Sequence, residues 1–193
     1  MWTLRKKSRE KAVNAIISDR KYSFVNLKDI NSVGFAYPLD ADIMPNQLKN
    51  IITFFKTRVP DVHGIILETK RGRLKKLESY FAAIGEKETM ESFLISKGVS
   101  ILKYENISGG IPDTGSSGDF LNREYQLFVN FNHNGNFTSD YISLSANASM
   151  VAAMRHSSYV PCFFVLSNKG REELSDIDFL EQLFHYLEII KSA

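Results

Sequence analysis

The chain has 193 residues and a formal net charge of +2, with 44% hydrophobic and 24% charged residues. This composition is close to the globular average and does not indicate disorder, and the small net charge by itself argues for neither nucleic acid nor a membrane as the partner. The single cysteine, Cys162, excludes an internal disulfide, and no apolar run approaches the ~20 residues needed to span a bilayer. No apolar segment of a secretory signal follows the basic N-terminus. We therefore expect a cytoplasmic protein that is not transmembrane.

Residues 1–24 are predicted to form a basic amphipathic helix that precedes a single α/β domain at 25–193. Four apolar residues can share one face of this helix: Trp2, Val13, Ile16 and Ile17. Its cations include Arg5, Lys6, Lys7, Arg9 and Lys11. Two interpretations stay open, namely that these cations bind a protein partner or another anionic surface, or that the helix is solvated and packs on the domain through its apolar stripe.

The first half of the domain alternates between apolar strands and amphipathic helices. Apolar runs predict strands at 32–38, 62–68 and 99–104. A helix is predicted to begin at Pro45, because proline is well tolerated in a first helical turn, and to end before Pro60. Residues 69–97 are predicted to be mainly helical, although basic residues crowd the start of this segment, where cations oppose the helix dipole.

The second half begins with a loop rich in glycine and serine at 105–118 and a short helix at 117–123. The almost unbroken apolar run Tyr125–Asn132 predicts a buried central strand. Thr138 or Ser139 is predicted to cap a helix that reaches about Ala148. Further strands are predicted at 150–154 and 161–166, and a final helix at whose start Ser175 and Asp178 form a capping box.

This alternation predicts a three-layer, Rossmann-like α/β fold with a mostly parallel sheet of about six strands. Right-handed crossovers favour the strand order 3-2-1-4-5-6, counted along the chain. In such sheets ligands bind beyond the carboxyl ends of the strands, where the strand order reverses. The predicted site therefore lies between the ends of the first strand and the fourth.

Three stretches carry a resemblance to a known family: EYQLFVNF at 124–131, DYISLSANA at 140–148 and FLEQLFHYLEII at 179–190. Together they resemble an uncharacterised family of small α/β proteins from Bacteroidetes-type bacteria. That family has a strand FDLLINLS, a helix containing YIAALSKA and a closing helix FIEQIKHYL. The chain departs from it at Asn130-Phe131-Asn132, where the family has Asn-Leu-Ser. More distantly, the strand and helix resemble the nucleotide-sugar-dependent heptosyltransferase-type fold, which implies a fold but no activity.

Candidate site residues follow from the predicted strand ends. Asp40 follows the first strand, Asn132, His133 and Thr138 follow the fourth, and Arg155 follows the fifth. Amide and carboxyl groups there can hydrogen-bond a polar ligand, and an arginine can bind phosphate or carboxylate. For Asp40 and Asn132 the alternative is that they form turns, which both residue types favour. For His133 and Arg155 the alternative is that they are solvated surface residues.

No pattern specific to an enzyme is complete. The histidines lack metal-ligand spacing, and the glycine-rich loop lacks the Lys-Ser/Thr of a phosphate-binding loop, so we expect neither a metal nor a cofactor. No Gly-x-Ser-x-Gly nucleophile elbow occurs. We expect a non-catalytic binding or interaction module for which nucleic acid is not the partner. The alternative is a nucleotide- or sugar-binding, transferase-like enzyme.

Overall fold

The structure is a computed structural model that describes residues 2–17, 22–39, 45–85, 88–157, 164–165 and 174–190. Its strands are β1 (Ser32–Pro38), β2 (Asp61–Leu67), β3 (Val99–Leu102), β4 (Ile107–Ser108), β5 (Ile111–Pro112), β6 (Glu124–Asn130), β7 (Asn147–Ala153) and β8 (Phe164–Val165). Its helices are α1 (Trp2–Ile17), α2 (Pro45–Lys56), α3 (Arg73–Ala83), α4 (Met90–Ser96), α5 (Thr114–Leu121), α6 (Phe137–Ser145) and α7 (Asp176–Ile189). None of the described helices is both long and apolar enough to cross a bilayer.

Five strands form a parallel sheet in the order β3-β2-β1-β6-β7. This confirms the α/β class and the relative order predicted for the first five strands, counted without the short hairpin. β1 lies at the centre of this group, where Val33 is opposite Val62 on one side and Leu127 on the other. At the far edge, Phe164 and Val165 pair in parallel with Ala152 and Ala153.

The sheet separates two apolar layers because neighbouring residues of a strand point to opposite faces. Phe35 of β1 packs with apolar residues of α2, α3, α4 and α7, whereas its neighbour Ala36 packs with those of α1, α5 and α6. In β6, Val129 packs in the same layer as Phe35, and Phe128 packs in the same layer as Ala36. Helices therefore cover both faces, which is what the continuous apolar runs of the strands require.

Glycine permits close packing at one point on β2. An added Cβ at Gly64 would lie 2.2 Å from Cζ of Phe35 on the neighbouring strand. The Phe35 ring occupies that space and stacks on Phe55 of α2, with ring centroids 5.5 Å apart. The absence of a side chain at Gly64 thus leaves space on β2 that the Phe35 ring occupies.

The N-terminal helix α1 belongs to the same packed body, because Val13 is buried in the layer formed with α6. The predicted apolar face is too long, however, since Ile17 at the end of the helix is 39% exposed. Lys7 and Lys11 are exposed, and the side chains of Arg5 and Lys6 lie outside the described residues. Binding of an anionic partner through these cations stays a prediction.

The segment 105–118 is more regular than its composition predicts. β4 and β5 form an antiparallel hairpin around Gly109 and Gly110, which have φ values of 62° and 94°. The helix predicted at 117–123 begins earlier, at Thr114, because the Asp113 side chain accepts the N–H of Gly115 and caps it. Glycine and serine in this segment therefore serve a tight turn and a short helix.

Two boundaries around α6 also differ from the prediction. Asn136, rather than Thr138 or Ser139, caps the helix, since its side-chain oxygen accepts the N–H groups of both residues. The helix ends before the extended residue Ala146, and β7 starts at Asn147 rather than at Met150. The predicted cap of α7 is confirmed, because Ser175 Oγ accepts the N–H of Asp178.

Candidate functional site

The carboxyl end of β6 is fixed by a buried polar network centred on Asp140. Oδ1 of Asp140 accepts hydrogen bonds from the side-chain amides of Asn130 at 3.1 Å and Asn132 at 2.7 Å. Oδ2 accepts a hydrogen bond of 2.6 Å from the hydroxyl of Ser157. Ser139 closes the network by donating to Oδ1 of Asn130 at 2.6 Å. The network joins β6, α6 and the segment after β7 into one rigid corner.

Burial raises the pKa of Asp140 above its ordinary value of 3.8, because the charged form is poorly solvated at 4% exposure. The hydrogen bonds from Ser157, Asn132 and Asn130 and the positive charge of Arg155 act in the opposite direction. Since the described donors already satisfy both carboxyl oxygens, Asp140 is a structural group that organises the strand end.

A second polar cluster joins β1, the turn after β6 and α7. The Tyr37 hydroxyl donates to Oδ2 of Asp176 at 3.0 Å, and His133 Nε2 lies 2.8 Å from Oδ1 of the same carboxylate. Because an ionised carboxylate only accepts, Nε2 carries the hydrogen in this pair. Asp176 is buried and His133 is 36% exposed at its side chain. Burial and the neighbouring Asp176 charge raise the pKa of Tyr37, so its hydroxyl stays a donor.

The end of β2 carries a third buried carboxylate, Glu68. Its Oε1 accepts the backbone N–H groups of Gly72 at 2.9 Å and Leu74 at 3.1 Å, at the start of α3. Its Oε2 accepts the N–H of Tyr104 at 3.2 Å. A negative charge at this helix start offsets the cations in the preceding loop, so α3 begins despite the unfavourable charge pattern of the sequence.

A cleft of about 620 Å³ opens at the carboxyl edge of the sheet. The residues that line it come from α1, the loop after β2, the turn after β3, the β4–β5 hairpin and the turn into α6. They are Arg9, Thr69, Lys70, Tyr104, Ile107, Gly109, Gly110, Asn134, Gly135, Asn136, Phe137 and Thr138. The volume lies within the ~300–1,000 Å³ typical of small-molecule sites.

The cleft is electropositive by composition. Two of its described lining residues, Arg9 and Lys70, are cationic, and none of those lining residues carries a carboxylate. Arg9 is held in place, since its Nε donates to the carbonyl oxygen of Gly109 at 3.1 Å and its guanidinium lies 4.4 Å from the ring centre of Phe137. Lys70 is exposed.

The N-terminus of α6 borders the cleft, but its own residues already occupy it. Asn136 accepts the N–H groups of Thr138 and Ser139, and Asp140 lies in the first turn of the helix. Two of the N–H groups at this helix start are therefore already bonded within the protein. The attraction for an anion comes from the side chains of Arg9 and Lys70.

The structure brings only part of the predicted site together. Thr138 lines the cleft, while Asn132 is buried and its amide donates to Asp140 and to the carbonyl oxygen of Asn136. His133 contacts Asp176 instead. The guanidinium of Arg155 packs beside Gly135, since an added Cβ there would lie 3.5 Å from it. Asp40 lies outside the described residues, so its predicted approach to Asn132 stays a prediction.

Sequence reasoning missed four residues of this edge: Lys70, Tyr104, Asp140 and Asp176. Lys70 and Tyr104 follow the second and third strands, so the rule that selected Asp40 and Asn132 also applies to them. Asp140 could have been found from its position, because it lies in the first turn of the helix that follows Asn130-Phe131-Asn132 at the end of a predicted strand. Asp176 gave no comparable signal, since its partner Tyr37 is 139 residues away.

Comparison with known proteins adds no assignment. No protein-family model matches the sequence, and a search of curated proteins finds no match either. Among the described residues, no group of three or more His, Cys, Asp or Glu side chains is arranged to hold a metal ion.

Proposed function

We propose that the protein is a non-catalytic binding protein for a small phosphate-bearing ligand, held in the cleft at the carboxyl edge of the sheet. The observation that carries this proposal is the charge of the cleft. Arg9 and Lys70 line it, and its described lining residues include no aspartate or glutamate. A phosphate between two cations gains charge-assisted hydrogen bonds, which are roughly twice as strong as neutral ones.

The fixed position of Arg9 supports the same proposal. Its contacts with Gly109 and Phe137 order the guanidinium before a ligand arrives, so less side-chain entropy is lost on binding. Arginine also presents a planar set of N–H donors that matches the geometry of a phosphate. Lys70 then adds an exposed point charge from the loop after β2.

The chemistry of the cleft favours binding without turnover. Its described lining residues contain no histidine, cysteine, aspartate, glutamate or serine. General acid–base and nucleophilic catalysis depend mainly on those side chains. What the cleft offers is cations, amides, hydroxyls of threonine and tyrosine, and apolar surface.

Titration calorimetry with pyrophosphate and inorganic phosphate at low ionic strength tests the proposal. We expect Lys70→Ala to weaken pyrophosphate binding by about tenfold, the equivalent of one lost charge-assisted contact. Lys56→Ala, at the end of α2, is the matched control and should change nothing, because Lys56 is exposed and does not line the cleft. Raising the salt concentration should weaken binding further. Equal losses in the two variants, or no binding to the wild type, would disprove the proposal.

A transferase-like enzyme is the second candidate, favoured by the pairing of His133 with Asp176. A carboxylate that orients a partly exposed imidazole is the arrangement of a general base. Release of UDP from UDP-glucose is the readout, with His133→Asn as the variant and the exposed His185→Asn as its control. No release by the wild type, or equal release by both variants, excludes this candidate.

We also propose three further features of the protein. They are the six-strand Rossmann-like order 3-2-1-4-5-6, a cytoplasmic location, and kinship with the uncharacterised Bacteroidetes-type family. The parallel pairing of Phe164 and Val165 with β7 supports the sixth strand. The three sequence stretches described above support the kinship.

A further inference from the structure

The proposed cleft contains an exposed aromatic side chain at the end opposite α6. We infer that its ligand is a mononucleotide, whose base stacks on Tyr104 and whose phosphate contacts Lys70 and Arg9. The inference rests on the proposed function and adds a base and a sugar to the anion. Each of the three parts of such a ligand has a matching group on the described lining of the cleft.

Tyr104 is suited to stacking because it is exposed. Its exposed fraction is 44%, whereas Phe137, the other aromatic residue of the described lining, is only 7% exposed. One face of the Phe137 ring is covered by the Arg9 guanidinium, and Tyr141 lies beside it with ring centroids 6.1 Å apart. A planar base can therefore stack on Tyr104 but not on Phe137.

The Tyr104 platform is anchored through its backbone. The N–H of Tyr104 donates to the buried carboxylate of Glu68, which also holds the start of α3. The residue begins a single 3₁₀ turn, Tyr104–Asn106, directly after β3. The turn therefore fixes the backbone position from which the Tyr104 ring extends.

The cleft is wider than a phosphate ion, so it has room for a larger ligand. Its described lining extends from the turn after β3 to the turn after β6, and the strand order places three strand spacings between them. At about 4.8 Å per spacing, this is roughly 14 Å. A phosphate ion occupies only the part near Lys70 and Arg9, which leaves the Tyr104 end for a second group.

Neutral polar groups also line the cleft. Thr69, in the same loop as Lys70, offers a hydroxyl that can hydrogen-bond a ribose, and Asn134 and Thr138 offer an amide and a hydroxyl at the α6 end. The described lining has no carboxylate of the kind that binds the ribose of a dinucleotide in a Rossmann site. Contacts to the sugar would therefore come from neutral donors and acceptors.

Titration calorimetry separates the parts of the ligand. The probes are adenosine 5′-monophosphate, uridine 5′-monophosphate, adenosine and ribose 5-phosphate. We expect both nucleotides to bind at least tenfold more tightly than ribose 5-phosphate or adenosine. Tyr104→Ala should weaken nucleotide binding by about tenfold and leave ribose 5-phosphate binding unchanged, because only the base contacts the ring. Tyr104→Phe should bind nucleotides nearly as the wild type does.

Tyr186→Ala is the matched control, since Tyr186 is similarly exposed but lies on α7, away from the described lining of the cleft. If ribose 5-phosphate binds as tightly as the nucleotides, and its binding depends on Lys70, the nucleotide inference fails and the proposed anion-binding function stands. If adenosine binds as tightly as its monophosphate, or if no probe binds, both the nucleotide inference and the proposed anion-binding function fail. If Tyr104→Ala and Tyr186→Ala bind nucleotides alike, the stacking role is disproved.

Discussion

The buried carboxylate of Glu68 accepts a 3.2 Å hydrogen bond from the backbone N–H of Tyr104. Its other oxygen accepts the N–H groups of Gly72 and Leu74. One side chain at the end of β2 thus fixes the turn after β3 and the first turn of α3. The turn that carries Tyr104 and the end of the loop that carries Lys70 thus depend on a residue that does not itself line the cleft.

Replacement of Glu68 should destabilise the protein strongly. Glu68→Ala leaves three backbone donors without their described acceptor, and we expect the free energy of unfolding to fall by about 2–4 kcal/mol. Glu68→Gln should lose less, because one oxygen can still accept from Gly72 and Leu74. Urea denaturation measures both effects. The exposed Glu78→Ala on α3 is the control, and a loss no larger than that of the control would refute the role of Glu68.

The buried Asp140 makes stability depend on pH. Its pKa is raised in the folded protein, so the folded state holds the proton more tightly than the unfolded chain does. Stability from this group is complete below the unfolded value of 3.8 and is lost as pH rises through the folded pKa. Asp140→Asn should remove that loss, since the amide can accept from Asn130 and Asn132 and donate to Ser157.

Urea denaturation of Asp140→Asn and the wild type across pH 4 to 8 gives the comparison. The stability of the wild type should fall relative to the variant as pH increases. Asp119→Asn serves as the control because Asp119 is exposed. Parallel pH profiles for the wild type and Asp140→Asn would contradict the assignment.

Two glycines should respond oppositely to substitution by alanine. At Gly64 the new Cβ would overlap the Phe35 ring, so Gly64→Ala should lower the free energy of unfolding by about 1–3 kcal/mol or more. At Gly118, in α5, the described surroundings leave open space, so Gly118→Ala should raise stability by roughly 0.5–1 kcal/mol through helix propensity. Thermal unfolding of both variants tests the pair, and a similar effect at both sites would count against the packing explanation.

Tyr37→Phe isolates the hydrogen bond to Asp176. The ring remains in the core, and the loss of one buried donor to a carboxylate should cost about 1–3 kcal/mol in unfolding free energy. Combining it with His133→Ala should give a non-additive loss, because both residues contact one carboxylate. Tyr80→Phe on α3 is the control. Strict additivity would show that the two contacts are independent.

Most of the sheet could be predicted from the sequence because its strands are apolar runs. β1 and β6 are buried on both faces, so their sequences are almost continuously hydrophobic, and the right-handed crossover rule then leaves few strand orders. The hairpin β4–β5 was missed because each of its strands has only two residues. The start of α5 was missed because Asp113 was not recognised as its cap.

The site was harder to predict because it depends on which polar groups pair with each other. Asn132 was selected for its position at a strand end, yet its amide is bound to Asp140 within the protein. For Arg9 the sequence left open an anionic partner or a solvated helix face, and its contact with Phe137, more than a hundred residues away in sequence, was not predicted. Such long-range contacts leave no local periodicity in the sequence.

The central position of β1 has a consequence for the order of synthesis. The Ser32 N–H donates to a side chain of β6 that lies 94 residues later in the chain. At typical translation rates of ~5–20 residues per second, β6 follows β1 by on the order of ten seconds. Until then one edge of an apolar strand has no partner on the nascent chain. While residues 39–123 are being made, this unpaired edge of β1 is a site at which the nascent chain can aggregate.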